Sequence, residues 1–173
     1  MKNTILVTGG CRSGKSRHAL QLADEMPCNN RIFVATLNPQ DEEMEDRVRR
    51  HQSERNTAWQ TIEEPLALPE ILSETGPRAD IILVDCLTLW VSNLLMKSEN
   101  PSWLESRFRE LADTLGNMAC PVLLVTNEVG TGIVPENRLA RLFRDQAGFC
   151  NQVVAAACDR VIWMVAGIPV KVK

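Results

Sequence analysis

Eight consecutive residues constrain this chain more than any others: Gly9-Gly10-Cys11-Arg12-Ser13-Gly14-Lys15-Ser16. They fit G-x-x-x-x-G-K-[ST]. An apolar β-type run precedes them over 4–8, and a helical pattern follows over 15–26, with Ala19, Leu20, Ala23 and Met26 on one face. In that context the glycines let the backbone curl until successive N–H groups point at phosphate oxygens. The helix that starts near Lys15 adds the positive end of its dipole. Lys15 can reach the β and γ phosphates, and the Ser16 hydroxyl can be offered to Mg²⁺. With average glycine and lysine usage, a chance match in a chain of this length is of order one in a hundred. All eight residues are therefore candidate nucleotide ligands, with Lys15 also a candidate catalytic group. Arg12 and Arg17 flank the loop, each either a phosphate contact or a solvated arginine.

The rest of the chain repeats the alternation that the loop begins. Short β-branched runs at 31–36, 81–85 and 121–126 alternate with helical stretches at 41–55, 87–97, 101–118 and 136–158. The last of these contains Gly148, where an interruption is expected. A short strand is expected over 59–62, and two strands at 160–166 and 169–172 form a hairpin at a sheet edge. The 81–85 run shows no polar alternation, as in a strand buried on both faces. The pattern implies a mostly parallel sheet with helices on both faces. Four strands end in polar or glycine residues: Thr8-Gly9-Gly10, Thr36, Asp85 and Thr126-Asn127-Glu128. In open parallel sheets ligands bind at the carboxyl ends of strands. Asp85 is either a second acid of the phosphate site, holding Mg²⁺ directly or through water, or a strand-end cap for the following helix.

Composition narrows the function classes. At 173 residues the chain is expected to be a single domain, 1–173, that needs no metal or disulfide staple. The formal net charge of −3 argues against a dedicated nucleic-acid binder. Few aromatics and no tyrosine argue against a base-stacking platform. No apolar run approaches the ~18 residues of a membrane span, and the N-terminus does not resemble a signal peptide. Six cysteines, at 11, 28, 86, 120, 150 and 158, show no C-x-x-C pairing and read as free thiols of a reducing cytoplasm. A regulatory GTPase would need N-K-x-D and D-x-x-G patterns at its strand ends. Asn127 is followed by Glu128-Val129 and Asp85 by Cys86-Leu87-Thr88, so neither of these strand ends matches. A small-molecule transferase is the natural class.

At this point the chain resembles a known family from about residue 5 to 173. The matching segments are Ile5 to Gly10 with Arg12 to His18, and Asp41-Glu42-Glu43-Met44 with Arg47 and His51. They continue with Thr126-Asn127-Glu128-Val129-Gly130, then Gly132 to Arg141, then Phe143-Arg144-Asp145 with Gly148, Asn151 and Gln152, and finally Gly167 to Lys171. The family is the bifunctional adenosylcobinamide kinase / adenosylcobinamide-phosphate guanylyltransferase family of cobalamin biosynthesis, and the 126–141 block is its most specific part. The resemblance implies a P-loop NTPase-like α/β fold. It also implies phosphorylation of adenosylcobinamide with ATP or GTP. Transfer of GMP from GTP, through a guanylylated histidine, then gives adenosylcobinamide-GDP and pyrophosphate. Mg²⁺ would accompany the nucleotide, and the chain would form a homotrimer in the cytoplasm.

Carried over by position, the resemblance makes His51 the guanylylated residue. It makes Ala35, Thr36, Leu37, Gln52, Ser53, Glu54, Arg55 and Glu63 nucleotide-contacting. It leaves Asp85, an acid one methylene shorter than in some relatives, as a nucleotide or metal ligand beside Ser16. From the residues alone, the basic cluster Arg47, Arg49, Arg50 and Arg55 around His51 reads equally as complement to a helix's negative end. His18 either braces the loop or is a surface residue. Arg138, Arg141 and Arg144 either receive phosphates or form a solvated face. Two other classes compete: a monofunctional P-loop kinase, and a non-enzymatic nucleotide-gated module.

Overall fold

The computed structural model describes residues 3–37 and 58–173. The helix expected over 41–55, with His51, Gln52, Ser53, Glu54 and Arg55, lies outside the described residues. The strands are β1 (Thr4–Gly9), β2 (Arg31–Ala35), β3 (Trp59–Glu63), β4 (Ile81–Asp85), β5 (Val122–Val125), β6 (Arg160–Val165) and β7 (Ile168–Lys171). The helices are α1 (Lys15–Asp24), α2 (Leu68–Thr75), α3 (Leu87–Lys97), α4 (Pro101–Asn117) and α5 (Arg138–Ala157), with a 3₁₀ turn at Gly76–Arg78. One seven-stranded sheet runs in the order β3-β2-β4-β5-β1-β6-β7. All neighbours are parallel except β6 and β7, which form the antiparallel edge hairpin.

The continuous apolar strands are explained by a core on each face. On one side Leu6, Ile82, Val84, Val122 and Leu124 meet α2, α3, α4 and α5. On the other Ile5, Val7, Leu83, Leu123 and Val125 meet Ala19 and Ala23 of α1. Phe108 of α4 is fully buried, with ring centroids 5.8 Å from Trp90 and 6.3 Å from Phe149, so it joins three helices. The indole N–H of Trp90 donates to the Leu66 carbonyl at 2.9 Å, which satisfies the one polar atom this cluster buries.

Local chemistry sets the helix starts. The Asn100 side chain accepts from the Ser102 and Trp103 amides ahead of α4, and Asn137 accepts from Ala140 ahead of α5. The expected interruption at Gly148 does not occur, since α5 runs unbroken through it. A glycine costs a helix about 1 kcal/mol relative to alanine. Burial of Ala147, Cys150 and Val154 on one face outweighs that. Helix α2 lies in a stretch to which the sequence pattern assigns no element, and it carries Pro69 in its first turn. At the first turn proline is compatible with a helix, and the Glu64 carboxylate accepts from the Leu66 and Ala67 amides just before it. All six cysteines are free thiols.

We predict that Phe108→Ala lowers the free energy of unfolding by about 3–5 kcal/mol, as buried Phe→Ala changes do. Urea denaturation measures it. A loss below about 1 kcal/mol would mean that the three-helix cluster is not a keystone.

Candidate nucleotide site

The residues of the glycine-rich loop join the end of β1 to the start of α1 through a tight curl. Gly9 has φ +149°, and a Cβ there would sit 2.5 Å from the Met164 carbonyl oxygen and 2.9 Å from Ser13 Oγ. Only glycine lets β1 and β6 approach so closely while the chain turns upward. Gly14 follows at φ +90°, and Arg12 also takes a left-handed conformation at φ 54°. At Gly10, by contrast, a Cβ would meet no protein atom within 4 Å, so packing of the chain on itself does not demand a glycine there. An open face bare of side chains is what a backbone needs if phosphate is to come close. Cys11 is exposed on the same curl, and the Ser13 side chain is buried beneath it.

Lys15 folds back over this curl. Its Nζ donates to the Gly10 carbonyl at 2.5 Å and lies 3.4 Å from Ser13 Oγ, with only 7% of the residue exposed. Burial pulls the pKa of its ammonium below the ordinary lysine value, and nearby Cys11, Cys86 and Asp85 oppose the shift. Lys15 is thus within electrostatic reach of Asp85 although 70 positions separate them in sequence. The link is made by the sheet. Asp85 closes β4 in register with Val125 of β5, and Val125 is in register with Val7 of β1. Ser16 begins the same helix turn as Lys15. A hydroxyl and a carboxylate are hard oxygen donors that suit Mg²⁺, which typically takes one or two protein oxygens and fills its shell with phosphate and water. No group of three or more His, Cys, Asp or Glu among the described residues could hold a metal unaided.

The other candidates fall at different distances along the carboxyl edge. Ala35 is in register with both Asp85 and Glu63. Glu63 is exposed at the end of β3, four strands from β1 and so roughly 19 Å away. It can meet a base or a second ligand, not phosphates held in the loop. Thr36 is fully buried; its hydroxyl donates to the Cys86 carbonyl at 2.7 Å and accepts from the Cys86 amide at 2.8 Å. That hydroxyl holds the end of β4. Asn93 donates to the Thr36 carbonyl at 2.8 Å and completes the clip. Leu37 is the last described residue before the undescribed segment.

The three arginines of α5 are engaged within the chain. Arg138 pairs with Glu99 at 2.7 Å, Arg141 donates to the Pro135 and Glu136 carbonyls, and Arg144 donates to the Gly130 carbonyl. His18, half-buried, makes no side-chain hydrogen bond to another described residue.

Sequence reasoning overlooked a buttress behind the loop. The β6–β7 turn is Ala166-Gly167, both with positive φ, which is the two-residue geometry that matches strand twist. The Gly167 amide donates to the Ser13 carbonyl at 3.1 Å, and the Gly167 Cα lies 3.6 Å from where a Gly14 Cβ would be. Gly167 serves twice, supplying the positive φ that the turn requires and an amide for the loop. A separate groove of about 350 Å³, lined by Pro77, Asp113, Thr114 and Met118 among others, lies between α2 and α4 away from this chemistry.

A family model described as cobinamide kinase / cobinamide phosphate guanyltransferase matches residues 5–172. The chain belongs to that family. It is 41% identical over 168 residues to the bifunctional adenosylcobalamin biosynthesis protein CobP of Pseudomonas aeruginosa, covering 97% of this chain and 96% of that protein. It is 42% identical over 181 aligned positions to CobU of Salmonella typhimurium, which carries the same description, covering 98% and 99%. Among solved structures it resembles an ATPase of the type III secretion system of pathogenic bacteria, with TM-score 0.60 and 12% identity. That match covers 95% of this chain, and the chain spans about half, 51%, of the ATPase. The flagellar accessory protein FlaH of Methanocaldococcus jannaschii gives TM-score 0.54 at 11% identity, covering 99% and 78%. These likenesses show the fold, which is P-loop NTPase-like, and the family makes the chain a nucleotide-using transferase.

A buried ammonium over a curl of backbone amides is a charge placed where phosphoryl oxygens become more negative in transfer. We predict that Lys15→Ala lowers the phosphoryl-transfer rate at least ~100-fold while the melting temperature stays near wild type. Transfer at the wild-type rate by this variant would remove the loop from the chemistry.

Proposed function

We propose that the protein phosphorylates the hydroxyl of the aminopropanol arm of adenosylcobinamide with ATP or GTP, and then caps that phosphate with GMP from GTP. The hydroxyl oxygen bonds to the γ phosphorus, the bond to the bridging oxygen breaks, and the nucleoside diphosphate leaves. His51 then attacks the α phosphorus of GTP, pyrophosphate leaves, and the histidine carries GMP until the substrate phosphate displaces it. The product is adenosylcobinamide-GDP. The observation that carries the kinase half is the Gly9–Ser16 curl with Lys15 folded over it at the edge that also bears Asp85. The transferase half rests on the family and on His51, a position outside the described residues.

Transfer through an enzyme-bound nucleotide splits one difficult displacement into two easier ones. Imidazole is the best neutral nucleophile available near pH 7, and the chain has two histidines. His18 stands on α1 beside the loop, whereas His51 has arginines at 47, 49, 50 and 55 to attract a triphosphate. In this reading Ser16 and Asp85 would hold Mg²⁺, which would supply positive charge against the phosphates. Guanine presents N1–H and an exocyclic amine side by side, and a carboxylate accepts both. With Asp85 at the phosphates, Glu63 can supply it, at a cost of about 1.5–3 kcal/mol when removed.

The reading includes a homotrimer of single-domain subunits in the cytoplasm. No helix among the described residues is long and apolar enough to cross a membrane. Support for association comes from the edge hairpin. Trp163, Val165, Ile168, Val170 and Val172 alternate onto one face of β6 and β7, and every one is at least 41% exposed. An apolar face of that kind marks an interaction surface. Light scattering should give three times the 19.4 kDa chain mass; a particle of one chain mass at micromolar concentration would contradict it.

Incubation with α-labelled GTP separates the classes, because only a guanylyltransferase retains label after denaturation. We predict that His51→Ala abolishes retained label and leaves cobinamide phosphorylation intact. The bond in the wild type should be labile to acid and stable to alkali, as a phosphoramidate is. Label retained by the variant would move the carrier to His18 or a lysine. A wild type that phosphorylates but never retains label would be a monofunctional kinase, and one that binds nucleotide and transfers nothing would be a gated module.

A further inference from the structure

Strand β5 lies between β1, which leads into the phosphate loop, and β4, which ends in Asp85. Whatever projects from its carboxyl end stands between the two charged parts of the site. The ladder with β1 continues past Val125. The Thr126 amide donates to the Val7 carbonyl at 3.0 Å and the Glu128 amide to the Gly9 carbonyl at 2.9 Å. This two-residue repeat keeps 126–128 extended, so side chains alternate between the faces of the sheet. Thr126 faces α3 and α5: its hydroxyl donates to Asn151 Oδ1 at 2.7 Å and lies 3.4 Å from Thr88 Oγ1. Asn127 must then face the other side, with Leu123 and Val125, where α1 and the phosphate loop are. Glu128 returns to the first side and closes a local turn by accepting from the Gly130 amide at 2.6 Å.

The backbone of Asn127 is held at both of its polar atoms by side chains distant in sequence. Its amide donates to Thr88 Oγ1 at 2.7 Å, and its carbonyl accepts from Asn151 Nδ2 at 3.1 Å. Thr88, Thr126 and Asn151 therefore form a frame around one residue whose own carboxamide makes no hydrogen bond to another described residue. A frame of three polar side chains, two of them buried threonines, is more than a strand end needs to terminate. It is the arrangement expected where a donor must be kept in place before charge develops.

We propose that Asn127 is a catalytic residue of the phosphoryl-transfer step, its carboxamide N–H donating to the terminal phosphate of the bound nucleotide, with Thr88, Thr126 and Asn151 as its positioning residues. The proposal rests on the kinase half of the proposed function. As the acceptor hydroxyl bonds to phosphorus and the bridging oxygen departs with its electron pair, negative charge spreads over the transferring oxygens. The hydroxyl proton goes, net, to solvent. Asn127 would approach those oxygens from the β5 side, opposite the loop amides. Neutral and uncharged at every pH, it orients and stabilises without moving a proton.

The test is steady-state phosphorylation of adenosylcobinamide, together with binding of GDP alone and of GDP with aluminium fluoride. For Asn127→Ala we expect kcat to fall on the order of 100-fold, the size of losing one such donor, with KM for nucleotide within about 3-fold. Affinity for GDP with aluminium fluoride should fall in parallel while GDP alone binds as wild type, a difference that a merely structural role would not produce. Asn127→Asp keeps the shape and the backbone anchors, and serves if the alanine variant does not fold. Its carboxylate would face phosphate, so kcat should fall at least as far. Asn151→Ala should lower kcat in wild-type Asn127 and add little to Asn127→Ala, because both remove one contact. A rate within about 3-fold of wild type in Asn127→Asp, or equal losses for GDP with and without aluminium fluoride, overturns the proposal. Absence of phosphorylation by the wild type overturns the kinase reading itself, and this proposal with it.

Discussion

The close approach of β1 to β6 beneath the loop is the constraint on which the site depends. With a Cβ at Gly9 only 2.5 Å from the Met164 carbonyl oxygen, the two strands leave no room for a side chain where the chain must leave the sheet. The Gly167 amide then ties the hairpin turn to Ser13, so the curl has support from below and behind. Lys15 reaches the Gly10 carbonyl only because the curl is closed in this way. A bulkier residue at position 9 would separate the strands and move every amide that is meant to face phosphate.

Parallel register extends that local geometry across the molecule. Val7, Val125, Asp85, Ala35 and Glu63 stand at one level on five successive strands. Residues spread over nearly eighty positions before β5 and more than a hundred overall are gathered along a single edge by strand register. The Thr36 hydroxyl and the Asn93 amide hold the β2 and β4 ends of this edge; Thr88, Thr126 and Asn151 hold the β5 end. The three threonines are buried and the two asparagines half-buried, all with hydrogen-bond partners in the protein, and networks of this kind fix one geometry when each member is satisfied.

Much of this was legible in the sequence, for physical reasons that differ by element. The loop was plain because its residue types answer to phosphate chemistry directly. The buried strands were plain because apolar runs without alternation have only one common use. The edge hairpin, a parallel sheet and the position of Asp85 followed. Helix α2 was hidden because Pro69 is a breaker in most places and a helix starter in one. The continuity of α5 was hidden because the packing that overrides Gly148 comes from α3 and α4, which no local pattern reports. Thr36 reads as a nucleotide contact from its strand-end position, and the fold adds a second use, its hydroxyl donating to the Cys86 carbonyl and accepting from the Cys86 amide. The frame around Asn127 was invisible because its members stand at 88, 126 and 151, and only the fold brings them together.

The central claim is that the ends of β1, β4 and β5 form one phosphate site. Amide hydrogen exchange, with and without a non-hydrolysable GTP analogue and Mg²⁺, tests it most directly. Protection should rise at residues 9–16 and 126–128, and stay unchanged at 73–77 and 113–118, which line the groove between α2 and α4. Protection confined to that groove, or a loop whose amides exchange equally fast with nucleotide bound, would contradict the account.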